Sequence, residues 1–194
     1  CTNDTAISTN VYDAPVVSFS GLAAGYCANA PASALTGNTG GGTFSGNGIS
    51  GNNFYPSIAG IGTHTITYVY SDGNNCTNSS NQNVDVYSSP VVSFSGLAGP
   101  YCADASPVSL SGNPAGGNFS GNGISGNNFD PSAAGAGNHS IKYVFSDGNG
   151  CTDSSSQNVT VNALPVVDFS GLDTAYCENN STAVLNGFPS GGTF

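Results

Sequence analysis

Positive charge is almost missing from this sequence. One of its 194 residues, Lys142, is basic against 11 acidic ones, and the formal net charge is −10. Nucleic-acid binding rests on Lys and Arg neutralising phosphates, and docking to an anionic bilayer rests on basic clusters. A single Lys excludes both kinds of partner. Charged residues of either sign make up 6%, far below the roughly 25% of an ordinary soluble domain. Met and Trp are absent. No apolar run approaches the ~18 residues of a membrane span, so no membrane insertion is expected. A trypsin-like protease meets one cleavage site, after Lys142, which suits a protein that lives outside a cell.

What is present is Gly (28 residues), Ser, Thr and Asn, with nine Tyr and ten Phe at regular places. Disordered chains are poor in aromatic and β-branched residues, so this composition points to a folded, lightly charged, all-β protein. The regularity is an internal repeat. Pro15-Val16-Val17-Ser18-Phe19-Ser20-Gly21-Leu22 returns from Pro90 to Leu97, and again, with Asp168 for the Ser, from Pro165 to Leu172, a step of 75 residues each time. Cys27, Cys102 and Cys177 keep the step, as do Cys1, Cys76 and Cys151, His64 and His139, and Phe44, Phe119 and Phe194.

The sequence therefore divides into the last strand of a preceding repeat (1–14), two full repeats (15–89 and 90–164) and the start of a further one (165–194). These read as a window on a longer tandem array, because chains rarely begin and end in mid-unit. Within one repeat, Val92 and Phe94 share a strand face, and Pro107 to Ser111 is a second short strand. Gly117 to Gly121 and Ile124 to Phe129 read as a third strand and its continuation, ended by Pro131. His139 to Phe145 puts Ile141, Tyr143 and Phe145 on one face and Lys142 on the other, the alternation of a half-buried strand. Asp147-Gly148-Asn149-Gly150 is hairpin-turn chemistry. A strand from Cys151 to Val161 follows, with Val159 and Val161 inward. Six or seven short strands without any helical apolar period predict tandem immunoglobulin-like Greek-key β-sandwiches.

Four motifs carry potential chemistry. Gly46-Asn47-Gly48-Ile49-Ser50-Gly51 spells the dinucleotide fingerprint, and Asp72 lies near the spacing of its acidic partner. That fingerprint needs a helix opening on the last Gly, yet Asn52-Asn53-Phe54-Tyr55-Pro56 follows. It reads instead as a glycine turn between β segments, with Phe44, Ile49 and Phe54 as core residues. His64 and His139 have no second ligand at metal spacing and read as strand-end residues. The acidic set differs between repeats: Asp130 stands where the first repeat has Tyr55, and Thr160 where it has Asp85. No repeated acid pair for general acid–base catalysis exists, so no catalytic residue and no organic cofactor is expected. Asp13, Asp85 and Asp168, with backbone carbonyls, are the candidate ligands for a calcium ion at a unit junction.

The six cysteines, Cys1, Cys27, Cys76, Cys102, Cys151 and Cys177, occur without any Cys-x-x-Cys spacing, which argues for disulfides and an oxidising compartment. In a sandwich whose chain comes in at one pole and leaves at the other, the first and last strands run parallel. Cys27 then follows the first strand and Cys76 begins the last. A ten-residue strand holds them about 30 Å apart, whereas a disulfide needs Cα atoms within ~7 Å. Topology therefore favours an inter-repeat bond, Cys27–Cys151. The intra-repeat pairs Cys27–Cys76 and Cys102–Cys151 are the alternative. Lys–Asn isopeptide cross-links are excluded as general staples by the single Lys. The linkers Tyr87-Ser88-Ser89-Pro90 and Asn162-Ala163-Leu164-Pro165 are short and restricted by Pro.

The runs Phe-Ser-Gly-Asn-Gly-Ile, Phe129-Asp130-Pro131-Ser132-Ala133-Ala134-Gly135, His139 to Phe145 and Asp147-Gly148-Asn149-Gly150-Cys151-Thr152 resemble the tandem immunoglobulin-like or PKD-like repeats of giant secreted surface proteins of Bacteroidota, among them the adhesins of gliding bacteria. The resemblance covers the whole sequence. It implies export across the outer membrane by the type IX route, a cell-surface location, and a role in adhesion, motility or a surface filament. It supplies no catalytic residues. It also implies O-glycosylation at Asp-Thr-Ala, which places Thr5 and Thr174 as acceptors. The expected function is the structural repeat region of an extracellular fibre or adhesin. Its partners would be neighbouring repeats, identical chains in a filament, and a surface or glycan ligand. The alternative is an array of carbohydrate-binding sandwich modules built on exposed Tyr and Asn.

Overall fold

The computed structural model of the chain describes residues 7, 9–179 and 181–193. Cys1 and Thr5 lie outside them. The chain clusters into two units, Cys1–Val91 with Ser146–Asp153, and Val92–Phe145 with Ser154–Phe194.

In the first unit the strands are short at the start and long at the end. They are β1 (Phe19–Ser20), β2 (Gly25–Cys27), β3 (Ser33–Ala34), β4 (Thr36–Gly37), β5 (Thr43–Ser45), β6 (Ile49–Ser50) and β7 (Asn53–Phe54). A helical turn α1 (Pro56–Ala59) precedes β8 (Gly62–Ser71) and β9 (Thr77–Tyr87). One sheet has the order β2-β9-β8-β5, and the opposing layer consists of β1-β4 and β3-β7-β6. β8 and β9 form a ten-pair antiparallel hairpin from Gly62↔Val86 to Ser71↔Thr77, and β2 adds to β9 in parallel.

The inward faces meet in one core of Phe19, Leu35, Phe44, Phe54, Ile66, Tyr68, Val84 and Val86, with Ile49 packed against it. Phe19 meets Phe44 edge-on at 5.4 Å, a favourable aromatic geometry. Two part-buried polar side chains at this core are hydrogen-bonded. The Gln82 side chain donates to the Phe19 carbonyl across the layers at 2.7 Å. The Tyr68 hydroxyl accepts from the Gly42 N–H and donates to the Thr39 carbonyl, pinning the loop between β4 and β5.

The second unit repeats this plan: β10 (Ser93–Ser95), β11 (Tyr101–Cys102), β12 (Val108–Ser109), β13 (Ser111–Asn113), β14 (Asn118–Ser120), β15 (Ile124–Ser125), β16 (Asn128–Phe129), α2 (Pro131–Ala134), β17 (Gly137–Ser146) and β18 (Thr152–Asn162). Its sheets, β11-β18-β17-β14, β12-β16-β15 and β10-β13, copy the first unit's order. Its core of Phe94, Leu110, Phe129, Ile141, Tyr143, Val159 and Val161 copies the first core at the 75-residue step. Beyond it, β19 (Asp168–Ser170) pairs with β20 (Asn186–Phe188), just as β10 pairs with β13. The molecule is all-β, in sandwich-like units.

Three local expectations need correction. Pro107 to Ser111 is not one strand: the chain breaks at the buried Leu110, and Val108–Ser109 pairs with β16 while Ser111–Asn113 pairs with β10 in another sheet. Ile124 to Phe129 does not continue the preceding strand. It doubles back, with Ile124 paired to Phe129 and Ser125 to Asn128, because Gly126 takes φ +58° at the first central position of a two-residue hairpin. Pro131 does not simply end a strand either; it opens a four-residue helical turn, where a ring locked near helical φ and lacking an N–H is at ease.

Candidate functional site

The fingerprint-like glycine run forms no phosphate cradle. Gly46, Gly48 and Gly51 all have positive φ; the first two lead into β6, and Gly51 lies in the turn between β6 and β7. A Cβ on Gly48 would lie 2.7 Å from the Ala59 Cβ and 2.8 Å from the Tyr55 carbonyl oxygen. The space a ligand would need is filled by the α1 turn. The second unit packs Gly123 in the same way against Asp130 and Ala134. The histidines are tied locally: His64 Nε2 lies 2.8 Å from the Gly60 carbonyl and His139 Nε2 2.8 Å from that of Gly135. Each ring closes the loop that leads from the helical turn into the long strand.

The acidic candidates are dispersed. Asp85 lies in β9 and accepts a 2.5 Å hydrogen bond from the Thr63 hydroxyl of β8. Asp168 accepts from the Phe169 N–H at the start of β19. Asp13 precedes the first strand and is exposed. Among the described residues, no three His, Cys, Asp or Glu side chains group as metal ligands do. Thr174 is exposed. Asp130 stands apart from the other acids. Its carboxylate accepts from the Ser132 hydroxyl and from the Ser132 and Ala133 N–H groups. These bonds, the Ser132 hydroxyl foremost, hold its pKa below the ordinary Asp value.

Among the described residues, two cysteines form a covalent cross-link. Cys27 is bonded to Cys151, with Cα atoms 5.5 Å apart and a sequence separation of 124. Both belong to the first unit, which includes the hairpin tip Ser146–Asp153. The chain presents each sulfur from a well-held backbone. Cys27 ends β2, opposite Tyr87 near the end of β9. Cys151 closes the tip loop, where the Asp147 carboxylate accepts from the N–H groups of Asn149 and Cys151, both at 2.9 Å. The Asp147 N–H returns a bond to the Cys151 carbonyl, and Gly150 sits at φ +80°. The tip at Asp72–Cys76 repeats this cage bond for bond, with Asn75 at φ +66° in the glycine's place.

The structure bonds neither Cys27 to Cys76 nor Cys102 to Cys151. The reason lies in the hairpin: Cys27 lies beside one end of β9 and Cys76 immediately precedes the other. Cys76, Cys102 and Cys177 carry free thiols. The Cys76 S–H donates weakly to the Tyr12 carbonyl at 3.9 Å. Cys151 is fully buried, whereas Cys76 at the equivalent position is only half-buried; Cys27 is half-buried, and Cys102 at its equivalent is exposed. Among the described residues, no helix is long and apolar enough to cross a membrane.

No family model matches the sequence, and no curated protein matches it. A solved adhesin, described as Ca2+-stabilized and as helping an Antarctic bacterium reach out and bind ice, aligns with 84% of this chain at 16% identity and a TM-score of 0.39. The alignment covers 53% of that adhesin, so this chain spans about half its length. A likeness of that size leaves the function to be argued from the chain's own residues.

Proposed function

We propose that the chain is the structural repeat region of an extracellular bacterial surface fibre or adhesin, a rod of sandwich repeats joined by disulfides. The observation that carries this reading is the Cys27–Cys151 bond, which ties the first β-edge of the repeat 15–89 to the hairpin tip of the repeat 90–164. A bond of that kind, added to a short Pro-containing linker, restrains bending at each joint. Disulfides persist in oxidising compartments, and a single Lys leaves little for trypsin-like proteases. Both features suit a cell-surface location. The filled glycine turns and tied histidines leave the repeat with architecture as its work. Its partners are neighbouring repeats of the same kind, in one chain or in laterally packed copies.

Electron microscopy of native surface material tests the proposal. A hairpin strand of 11 residues is about 36 Å long at ~3.3 Å per residue. Fibres carrying this chain should show an axial repeat of about 35–40 Å or a small multiple. Isolated globular particles alone would refute it.

A further inference from the structure

We infer that the Cys27–Cys151 bond is one instance of a propagating rule, and that Cys102 and Cys76 are its two open ends, each competent to bond the complementary cysteine of another repeat of this kind. The inference rests on reading Cys27–Cys151 as a joint.

The 75-residue step places Cys102 where Cys27 stands and Cys76 where Cys151 stands. The structural settings also match. Cys102 ends β11, which adds in parallel to β18 with Cys102 opposite Asn162, just as Cys27 lies opposite Tyr87. Cys76 closes the same Asp-centred tip as Cys151, with the same four backbone and carboxylate bonds. What differs is the partner. The bonded members, Cys27 and Cys151, are half-buried and fully buried; their unbonded equivalents, Cys102 and Cys76, are each one class more open. Both thiols are therefore pre-positioned and reachable. The pair also has a direction, since the β-edge cysteine of one repeat bonds the tip cysteine of the repeat that follows. Cys102 requires a following repeat and Cys76 a preceding one.

The bond forms by thiol–disulfide exchange. Two thiols lose two electrons and two protons as one S–S bond forms. A disulfide oxidant such as oxidised glutathione accepts them and leaves as two glutathione thiols.

The test keeps the full chain and duplicates residues 15–164 in tandem and in register ahead of 165–194, which gives Cys102 a following repeat. The protein is oxidised with a glutathione couple, free thiols are alkylated, and peptic peptides made at acid pH are mapped without reduction. The expected result is a Cys102 peptide linked to a Cys76 peptide, beside the Cys27–Cys151 link, with the second copy of each of the Cys102 and Cys76 peptides recovered alkylated. Cys102→Ser in the same chain should free the duplicate's Cys76 and leave the other links unchanged. Recovery of Cys102 in alkylated form alone, with no Cys102-linked peptide, together with an intact Cys27–Cys151 link overturns the rule but spares the joint. Absence of Cys27–Cys151 from a folded protein overturns both.

Discussion

Gly48 and Gly51 lie three residues apart and both need positive φ, at +81° and +58°, yet their surroundings differ. A Cβ at Gly51 meets nothing within 4 Å, whereas one at Gly48 meets the Tyr55 carbonyl and Ala59 within 3 Å. Gly51→Ala should cost only the left-handed backbone term, about 1–2 kcal/mol. Gly48→Ala adds overpacking of about 1–3 kcal/mol. Urea unfolding of the two variants should therefore separate them, with Gly48→Ala the more damaging. Equal effects would contradict the tight packing of this turn against α1. The glycines themselves were legible from sequence, because a dinucleotide fingerprint without its helix has only a turn left to be. Their division into crowded and open was not, since it depends on α1, which is four residues long and shows no period.

At the scale of elements, the two helical turns differ at two positions, Ile58 against Ala133 within the turn and Tyr55 against Asp130 at the N-cap. Asp130 caps α2 through three hydrogen bonds, while Tyr55 at the same place offers α1 no side-chain cap. The Asp130 pKa is depressed in the folded state. Its stabilising effect is complete above the ordinary carboxylate pKa and is lost as pH falls through the folded-state value. Asp130→Asn should lower the melting temperature of the protein near neutral pH and flatten its acid limb. Tyr55→Asp should raise the melting temperature near neutral pH and introduce the same acid dependence. Calorimetry from pH 2 to 7 checks both.

A second element-scale prediction concerns Tyr143. Its hydroxyl accepts from the Gly117 N–H at 2.7 Å and donates to the Pro114 carbonyl at 2.6 Å, while its ring lies against Gly112 and Gly117. Tyr143→Phe leaves both backbone groups without that partner and should cost about 1–3 kcal/mol, read by the same unfolding measurement. The alternation of β17 made Ile141 and Tyr143 legible as core, and both are buried. The hairpin return at Gly126 was not legible, because two-residue strands carry too few side chains to show where the chain reverses.

For the whole molecule, composition and strand alternation carried the all-β class, and the 75-residue step carried the duplicated core and the equivalence of the cysteines. The layered sheets realise that class, with β2 and β9 parallel. Topology also supplied a physical reason to weigh one cysteine pairing above the others, namely the length of β9 between Cys27 and Cys76. That Cys76 and Cys102 stay free follows from this pairing at the 75-residue step; their greater exposure was not legible, because the exposure of a cysteine depends on what lies next to it in space. Closing a loop of 124 residues removes about 4–5 kcal/mol of unfolded-chain freedom in the chain-entropy view. Reduction should accordingly lower the stability of the first unit, and Cys27→Ser together with Cys151→Ser should reproduce the reduced protein. A melting temperature insensitive to dithiothreitol would show that the bond contributes little to folding.

The central claim, that a disulfide joins one repeat to the next, is tested most directly by non-reducing peptide mapping of the chain recovered from its native source. Trypsin has only Lys142 to cut after, so pepsin at acid pH, which also suppresses thiol exchange, is the suitable protease. The expected result is a mass matching the Cys27 and Cys151 peptides linked, which disappears on reduction. Recovery of Cys27 linked to Cys76, or of Cys102 linked to Cys151, would contradict the account.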